Sequence, residues 1–270
     1  MIEHILQQFV CERFKNDASY REGHLRVLNA LPGRRVLGLH TPEMKLVAKR
    51  LSSNGGEVML PDGRKLHCCN GAEVIRYFEQ ISSASLCYEE TMVWGFLINN
   101  EKCDAVSRLA MLSRFVPVFD NWAVCDAFCA NAKWMAGLDK RLLWNYLQPW
   151  FASKREFEVR FAVVVSMCYL LCDGWVDTVF VRLAALDFET IESEYRAIKG
   201  KNKIAQAGCV LGKSPYYVRM GVAWLLATAL AKFPEVTRSF VRESKLPDDV
   251  VRLYIRKARE SFRTRMVDAL

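Results

Sequence analysis

A chain of 270 residues that is 51% hydrophobic and 25% charged can bury a large core, which excludes a disordered or low-complexity protein. Its 38 basic and 30 acidic residues leave a net charge of +8, a balance that suits a polyanionic partner without naming one. The longest apolar run, Phe161 to Cys172, falls short of the roughly 20 residues a membrane span needs, and residues 1–10 carry Glu3 and His4 without the apolar core of a secretory signal.

Taken in chain order, residues 2–16 and 20–31 alternate apolar and charged positions at helical spacing, and Pro32-Gly33 ends the second run. Thr41 is placed to cap the next helix, with Pro42 in its first position and Met44, Val47, Ala48 and Leu51 as its apolar stripe. Within the segment 52–70, the runs Glu57–Leu60 and Arg64–Cys68 flank Pro61-Asp62-Gly63, which predicts a short β-hairpin near 57–68. From Ala72 onward the pattern reads as helical throughout.

That helical part repeats. Glu158-Val159-Arg160-Phe161-Ala162-Val163 resembles Tyr217-Val218-Arg219-Met220-Gly221-Val222, with a fainter copy at Val251-Arg252-Leu253. The step from Arg219 to Arg252, about 33 residues, is the length of one helical hairpin of a solenoid. First helices of successive hairpins are expected to begin near Glu89, Asn121, Glu156, Pro215 and Pro247. The long gap between the third and fourth marks an insertion of roughly 25 residues beyond the repeat period. It runs from Asp187 to Lys213, contains Lys199-Gly200-Lys201-Asn202-Lys203, and reads as a long, mobile, basic loop with at most one short helix. The predicted architecture is all-α: a HEAT-like repeat α-solenoid of antiparallel helical hairpins over residues 1–270. It forms one domain with insertions at 52–70 and 187–213, and its curvature gives a concave basic groove.

The chemistry-bearing stretch is Phe119 to Cys129. Asp120 or Asn121 can cap a helix there, and Trp122 and Asp126, four residues apart, share one of its faces. Asp126 stands among Ala123, Val124, Cys125, Ala127 and Phe128, where an acid is costly unless it is paired, for instance with Arg160, or faces a cleft. Core packing is the bland alternative for Trp122 and Trp224. Arg160 and Arg219 each begin an apolar helix, as framework arginines bonding neighbouring hairpins or as phosphate contacts. Lys154-Arg155, at a hairpin turn, and the C-terminal Arg252, Arg256, Lys257, Arg259, Arg263 and Arg265 read equally as solvated faces or as the edge of a groove for a nucleic-acid backbone. Ten cysteines without a secretory signal are expected as free thiols in a reducing compartment. The pairs Cys125/Cys129 and Cys168/Cys172 have no histidine company, the four histidines (4, 24, 40 and 67) are scattered, and no metal is expected.

Six stretches together carry a resemblance: Gly38–Lys49, Cys87–Ile98, Phe115–Cys129, Glu156–Val165, Tyr216–Leu226 and Tyr254–Ser261. In this order they resemble the DNA alkylation repair enzyme family, the AlkD-type HEAT-repeat DNA glycosylases, over nearly the whole chain apart from the two insertions. The resemblance implies hydrolysis of the N-glycosidic bond of cationic N3- and N7-alkylated purines in double-stranded DNA, without metal or cofactor and without flipping the base into a pocket. It also implies roles by position: Asp126 as the catalytic carboxylate, Trp122 and Trp224 against the damaged nucleotide, and Arg160 near the lesion phosphates. Arg160, Arg219, Lys154 and Lys257 are the expected DNA-binding residues. The protein is expected as a cytoplasmic monomer, nucleoid-associated when bound to DNA. Two alternatives stand beside this reading: a non-catalytic binder of branched or damaged DNA on the same fold, and a HEAT-repeat protein-interaction scaffold.

Overall fold

The structure, a computed structural model, describes residues 2–53, 57–59, 63, 65–67, 70–199 and 206–270. Fourteen α-helices account for most of them. The N-terminal helices are α1 (Glu3–Gln7), α2 (Glu12–Asn16), α3 (Ala18–Leu28), α4 (Thr41–Ser52) and α5 (Gly71–Gln80). Then come α6 (Tyr88–Asn100), α7 (Ala105–Phe115), α8 (Trp122–Asn131), α9 (Lys140–Phe151), α10 (Glu156–Tyr169) and α11 (Val176–Ala184). The last three are α12 (Tyr216–Leu230), α13 (Pro234–Glu243) and α14 (Asp248–Glu260). Two small two-stranded sheets accompany them: β1 (Glu57–Met59) with β2 (Lys65–His67), and β3 (Arg196–Ile198) with β4 (Cys209–Leu211). No helix among the described residues is long and apolar enough to cross a membrane.

The chain divides into two compact units where the repeat reading treats 1–270 as one array. Unit 1 holds residues 1–134 with 204–208, and unit 2 holds 135–203 with 209–270. In unit 1, α6 packs against α4, α5, α7 and α8; in unit 2, α12 packs against α10, α13 and α14. Helices α6, α10 and α12 are apolar on nearly every face, and each is buried along most of its length. That is the expected fate of a helix without a polar stripe, whereas α13 and α14, with charged outer faces, lie at the surface. Close approach is bought at Gly95, where a Cβ would stand 2.9 Å from the Phe115 ring.

The first helices of the hairpins, α6, α8, α10, α12 and α14, begin within one residue of the expected positions. The all-α helical-repeat fold class therefore holds, and β1 pairs antiparallel with β2 in the register Glu57 to His67, as the turn signature predicts. Residues 60–62, 64 and 68 of that hairpin lie outside the described residues, as does 200–203 of the basic run.

Five local expectations are corrected. The helix expected over 2–16 is two short ones, and the helix over 20–31 ends at Leu28, because Asn29 adopts the left-handed conformation (φ 48°) that stops a helix. Thr41 lies inside α4, whose cap position is His40, without a side-chain cap bond. The chain is not helical throughout after Ala72, because β3 and β4 pair in parallel within the insertion. The insertion's described residues also pack instead of forming a mobile loop. Phe188, Ile191, Tyr195, Cys209 and Val210 are buried, and Tyr195 meets Phe157 and Tyr217 edge-on. Glu192 donates its N–H to the Lys154 carbonyl (2.6 Å) and accepts that of Glu156 (3.1 Å), which fastens the insertion to the start of α10.

Candidate functional site

Helix α8 begins where the backbone turns after Phe119. Asn121 is the N-cap residue and accepts the Ala123 N–H (2.8 Å), while Asp120 pairs with Arg34 (3.2 Å). Two donors from this corner converge on the Leu28 carbonyl: Asn121 Nδ2 at 2.9 Å and Trp122 Nε1 at 3.0 Å. The end of α3 leaves that carbonyl available, and the pair of bonds fixes the indole to the neighbouring helix. Val124, Cys125, Phe128 and Cys129 point into the core, which turns Trp122, Ala123, Asp126 and Ala127 the other way.

There they form one wall of a cavity of about 680 Å³, within unit 1. Tyr20, His24 and Val27 of α3, Leu39 and His40 before α4, and Met44, Tyr88 and Met92 supply most of the rest of the lining. Asp126, half-buried, is the one carboxylate among the lining residues. The Tyr20 hydroxyl and His40 Nε2 are 2.8 Å apart, and the His24 and His40 rings meet edge-on at 5.6 Å. Burial, with the second histidine beside it, holds the His24 pKa below its ordinary value. The loop carrying Leu39 and His40 is held by Glu89, whose carboxylate accepts the N–H groups of Leu37 (2.9 Å), Gly38 (2.7 Å) and Leu39 (3.3 Å). Glu89 is fully buried, and that burial raises its pKa. Tyr20, His24 and Glu89 carried no spacing signal in the sequence; only the packing of α3 and the loop 37–40 against α6 and α8 brings them here.

The other expected site residues lie in unit 2. Trp224 is the exposed side chain on the otherwise buried α12. With Thr228, Lys257, Glu260, Ser261 and Arg263 it lines a second cavity, of about 400 Å³. Lys257 is half-buried and pairs with Glu260 (2.8 Å), and Lys154 is exposed just before α10. Arg160 and Arg219 are in different surroundings. Arg160 is 3% exposed: Nη1 donates to the Tyr217 carbonyl, and Gly221 makes room for it, since a Cβ there would stand 3.3 Å away. Arg219 is fully buried between Asp249 (3.1 Å) and Glu189 (3.0 Å), with Nε donating to the Ser214 carbonyl (3.2 Å) and Phe188 against the guanidinium. Both guanidiniums are thus bonded to the framework of unit 2. Glu156, in the first turn of α10 as Glu89 is in that of α6, accepts the Tyr217 N–H (2.6 Å) and the Ser193 hydroxyl.

Among the described residues, no group of three or more His, Cys, Asp and Glu side chains converges as a metal site requires. Cys125 and Cys129 fill the core of unit 1, while Cys168 and Cys172 are half-buried. The arrangement in unit 1, a single carboxylate in an apolar and aromatic cavity, suits the stabilisation of positive charge on a bound group.

The family model described as DNA alkylation repair enzyme matches residues 13–262. No curated protein and no solved structure matches the chain. With nearly its whole length matched, the chain belongs to the DNA alkylation repair enzyme family, and so acts in DNA repair with DNA as its partner.

Proposed function

We propose that the protein is a DNA glycosylase that removes cationic N3- or N7-alkylated purines from duplex DNA by hydrolysing the N-glycosidic bond. The observation that carries this reading is the cavity of unit 1, where Asp126 and the anchored indole of Trp122 share one wall.

An alkylated purine of this kind already carries its positive charge. When the bond from C1′ breaks, its electron pair leaves with the base, which becomes neutral, and the sugar takes on oxocarbenium character. A carboxylate beside C1′ stabilises that cation and orients a water whose oxygen bonds to C1′ and whose proton passes to the carboxylate or to solvent. No acid is needed to protonate the leaving group, so a single carboxylate suffices. Aromatic faces add about 0.5–2 kcal/mol each toward a cation, depending on how far water is excluded. Trp224, exposed beside Lys257 and Arg263, offers a second aromatic surface next to phosphate-binding charge. In this reading Lys154 and Lys257 contact the DNA backbone, and Arg160 and Arg219 brace α12 of unit 2, the helix that carries Trp224.

The test is release of free base from methylated duplex DNA. The wild-type chain is expected to liberate 3-methyladenine or 7-methylguanine. Asp126→Asn, which keeps the shape and removes the charge, is expected to lose about 100-fold or more in rate while duplex affinity is kept. Duplex binding without any release would refute catalysis and leave a DNA-structure binder; absence of duplex binding would refute both.

A further inference from the structure

Past α14 the chain folds into a compact turn over residues 261–267. The Ser261 carbonyl accepts the N–H groups of Thr264 (3.2 Å) and Arg265 (2.8 Å), and Val267 donates to the Thr264 carbonyl (2.9 Å). Thr264 is buried, its hydroxyl donating to the Ala258 carbonyl (2.8 Å), and the Tyr254 hydroxyl pins the following residues through the Ala269 carbonyl (2.7 Å).

With Thr264 turned inward, Phe262 and Met266 on either side of it are turned outward. They are 81% and 90% exposed, the two most exposed large apolar side chains among the described residues. The Arg265 guanidinium stacks on Phe262, 4.7 Å from the ring centroid. In the same stretch of chain Arg252, Arg256, Arg259, Arg263 and Arg265 are all exposed, and Glu260 offsets part of this charge through Lys257 (2.8 Å) and Arg256 (3.7 Å).

Two large apolar side chains held in water, one of them stacked under Arg265 and both next in sequence to exposed arginines, suit a partner that is anionic outside and apolar within. A second copy of this chain would set arginine against arginine. Duplex DNA meets both needs, with phosphates for the guanidiniums and a base stack for the apolar pair. The same turn also supplies Ser261 and Arg263 to the cavity of Trp224.

We infer that residues 256–266 form a wedge-and-clamp surface for duplex DNA. Phe262 and Met266 enter a groove and partly unstack one base step, while Arg259, Arg263 and Arg265 grip the flanking phosphates. The inference rests on the reading that duplex DNA is the partner, and is independent of base excision.

The test uses the full chain and a duplex carrying 2-aminopurine, titrated over a range of salt concentrations. Wild type is expected to raise the 2-aminopurine fluorescence on binding. The double variant Phe262→Ala/Met266→Ala is expected to lose most of that rise and about tenfold in affinity. Arg263→Ala/Arg265→Ala is expected to lower the slope of log affinity against log salt by about 1.8, at roughly 0.9 per phosphate contact. All four side chains are exposed, so unchanged melting curves confirm that the variants fold. Variants that match wild type in affinity, slope and fluorescence would overturn the wedge and leave duplex binding standing. Wild type without salt-dependent duplex affinity would remove the DNA reading itself. Binding to phosphatidylserine vesicles that Phe262→Ala abolishes, with duplex binding untouched, would overturn the inference in favour of a membrane surface.

Discussion

Replacing Arg219 by methionine separates a framework arginine from a DNA contact. Methionine fills much of the same volume but supplies none of the donors that now reach Ser214, Asp249 and Glu189. Glu189 is well solvated, so losing its pair matters little. Asp249 is different: its side chain is 22% exposed and would be left partly buried without its cation. Breaking a buried pair from one side costs about 3–5 kcal/mol, and partial access of water to Asp249 brings this to about 2–3 kcal/mol. The abandoned Ser214 carbonyl adds about 1 kcal/mol. A loss near 3 kcal/mol lowers the melting temperature by roughly 6–12 °C. Thermal unfolding measures that loss, and duplex affinity against salt, taken where both proteins are folded, measures phosphate contacts. The expected result is a large drop in melting temperature with an unchanged salt slope. A slope reduced by about 0.9 at nearly wild-type stability would refute the reasoning and place Arg219 on the DNA.

Three further outcomes follow from the interior of unit 1. Glu89→Ala strips the buried N–H groups of Gly38 and Leu39 of their acceptor, at about 2–4 kcal/mol in total; calorimetry is expected to show that loss, and base release to fall as the cavity wall at Leu39 and His40 shifts. Gly95→Ala presses a methyl group onto the Phe115 ring and is expected to cost about 1–3 kcal/mol, read from the denaturation midpoint. His24 supplies a pH dependence. Its folded pKa lies below the ordinary 6.5, so the unfolded chain binds the proton more readily. Its contribution is complete above the ordinary value and is lost as pH falls below about 6.5. Between pH 7.5 and 5.5, His24→Phe is therefore expected to lose less melting temperature than wild type; equal losses would show that His24 does not titrate as its burial requires.

How much of this was legible in the sequence depends on the length of the signal. The starts of α6, α8, α10, α12 and α14 were readable because each helix carries apolar residues at helical spacing and is preceded by a turn or cap residue. Trp122 and Asp126 were readable as a pair because helical spacing alone puts them on one face. The parallel pair β3–β4 was not, since two three-residue strands are too short for a periodicity to emerge from a glycine- and lysine-rich segment. The basic residues show the limit most sharply. Arg160, Arg219, Lys154 and Lys257 look alike as cations, yet the first two are buried, Lys257 is half-buried and Lys154 is exposed.

Local chemistry along the chain thus determined the helical repeat, the capped helix α8 and the face on which its indole and carboxylate stand. Tertiary packing decided everything that depends on what lies opposite. It set Tyr20, His24, Leu39 and His40 across from Asp126, committed Arg219 to Asp249 and Glu189, and left Phe262 and Met266 in water. Helix formation depends on residues three or four positions apart, whereas burial and charge pairing depend on residues that only the folded chain brings within reach.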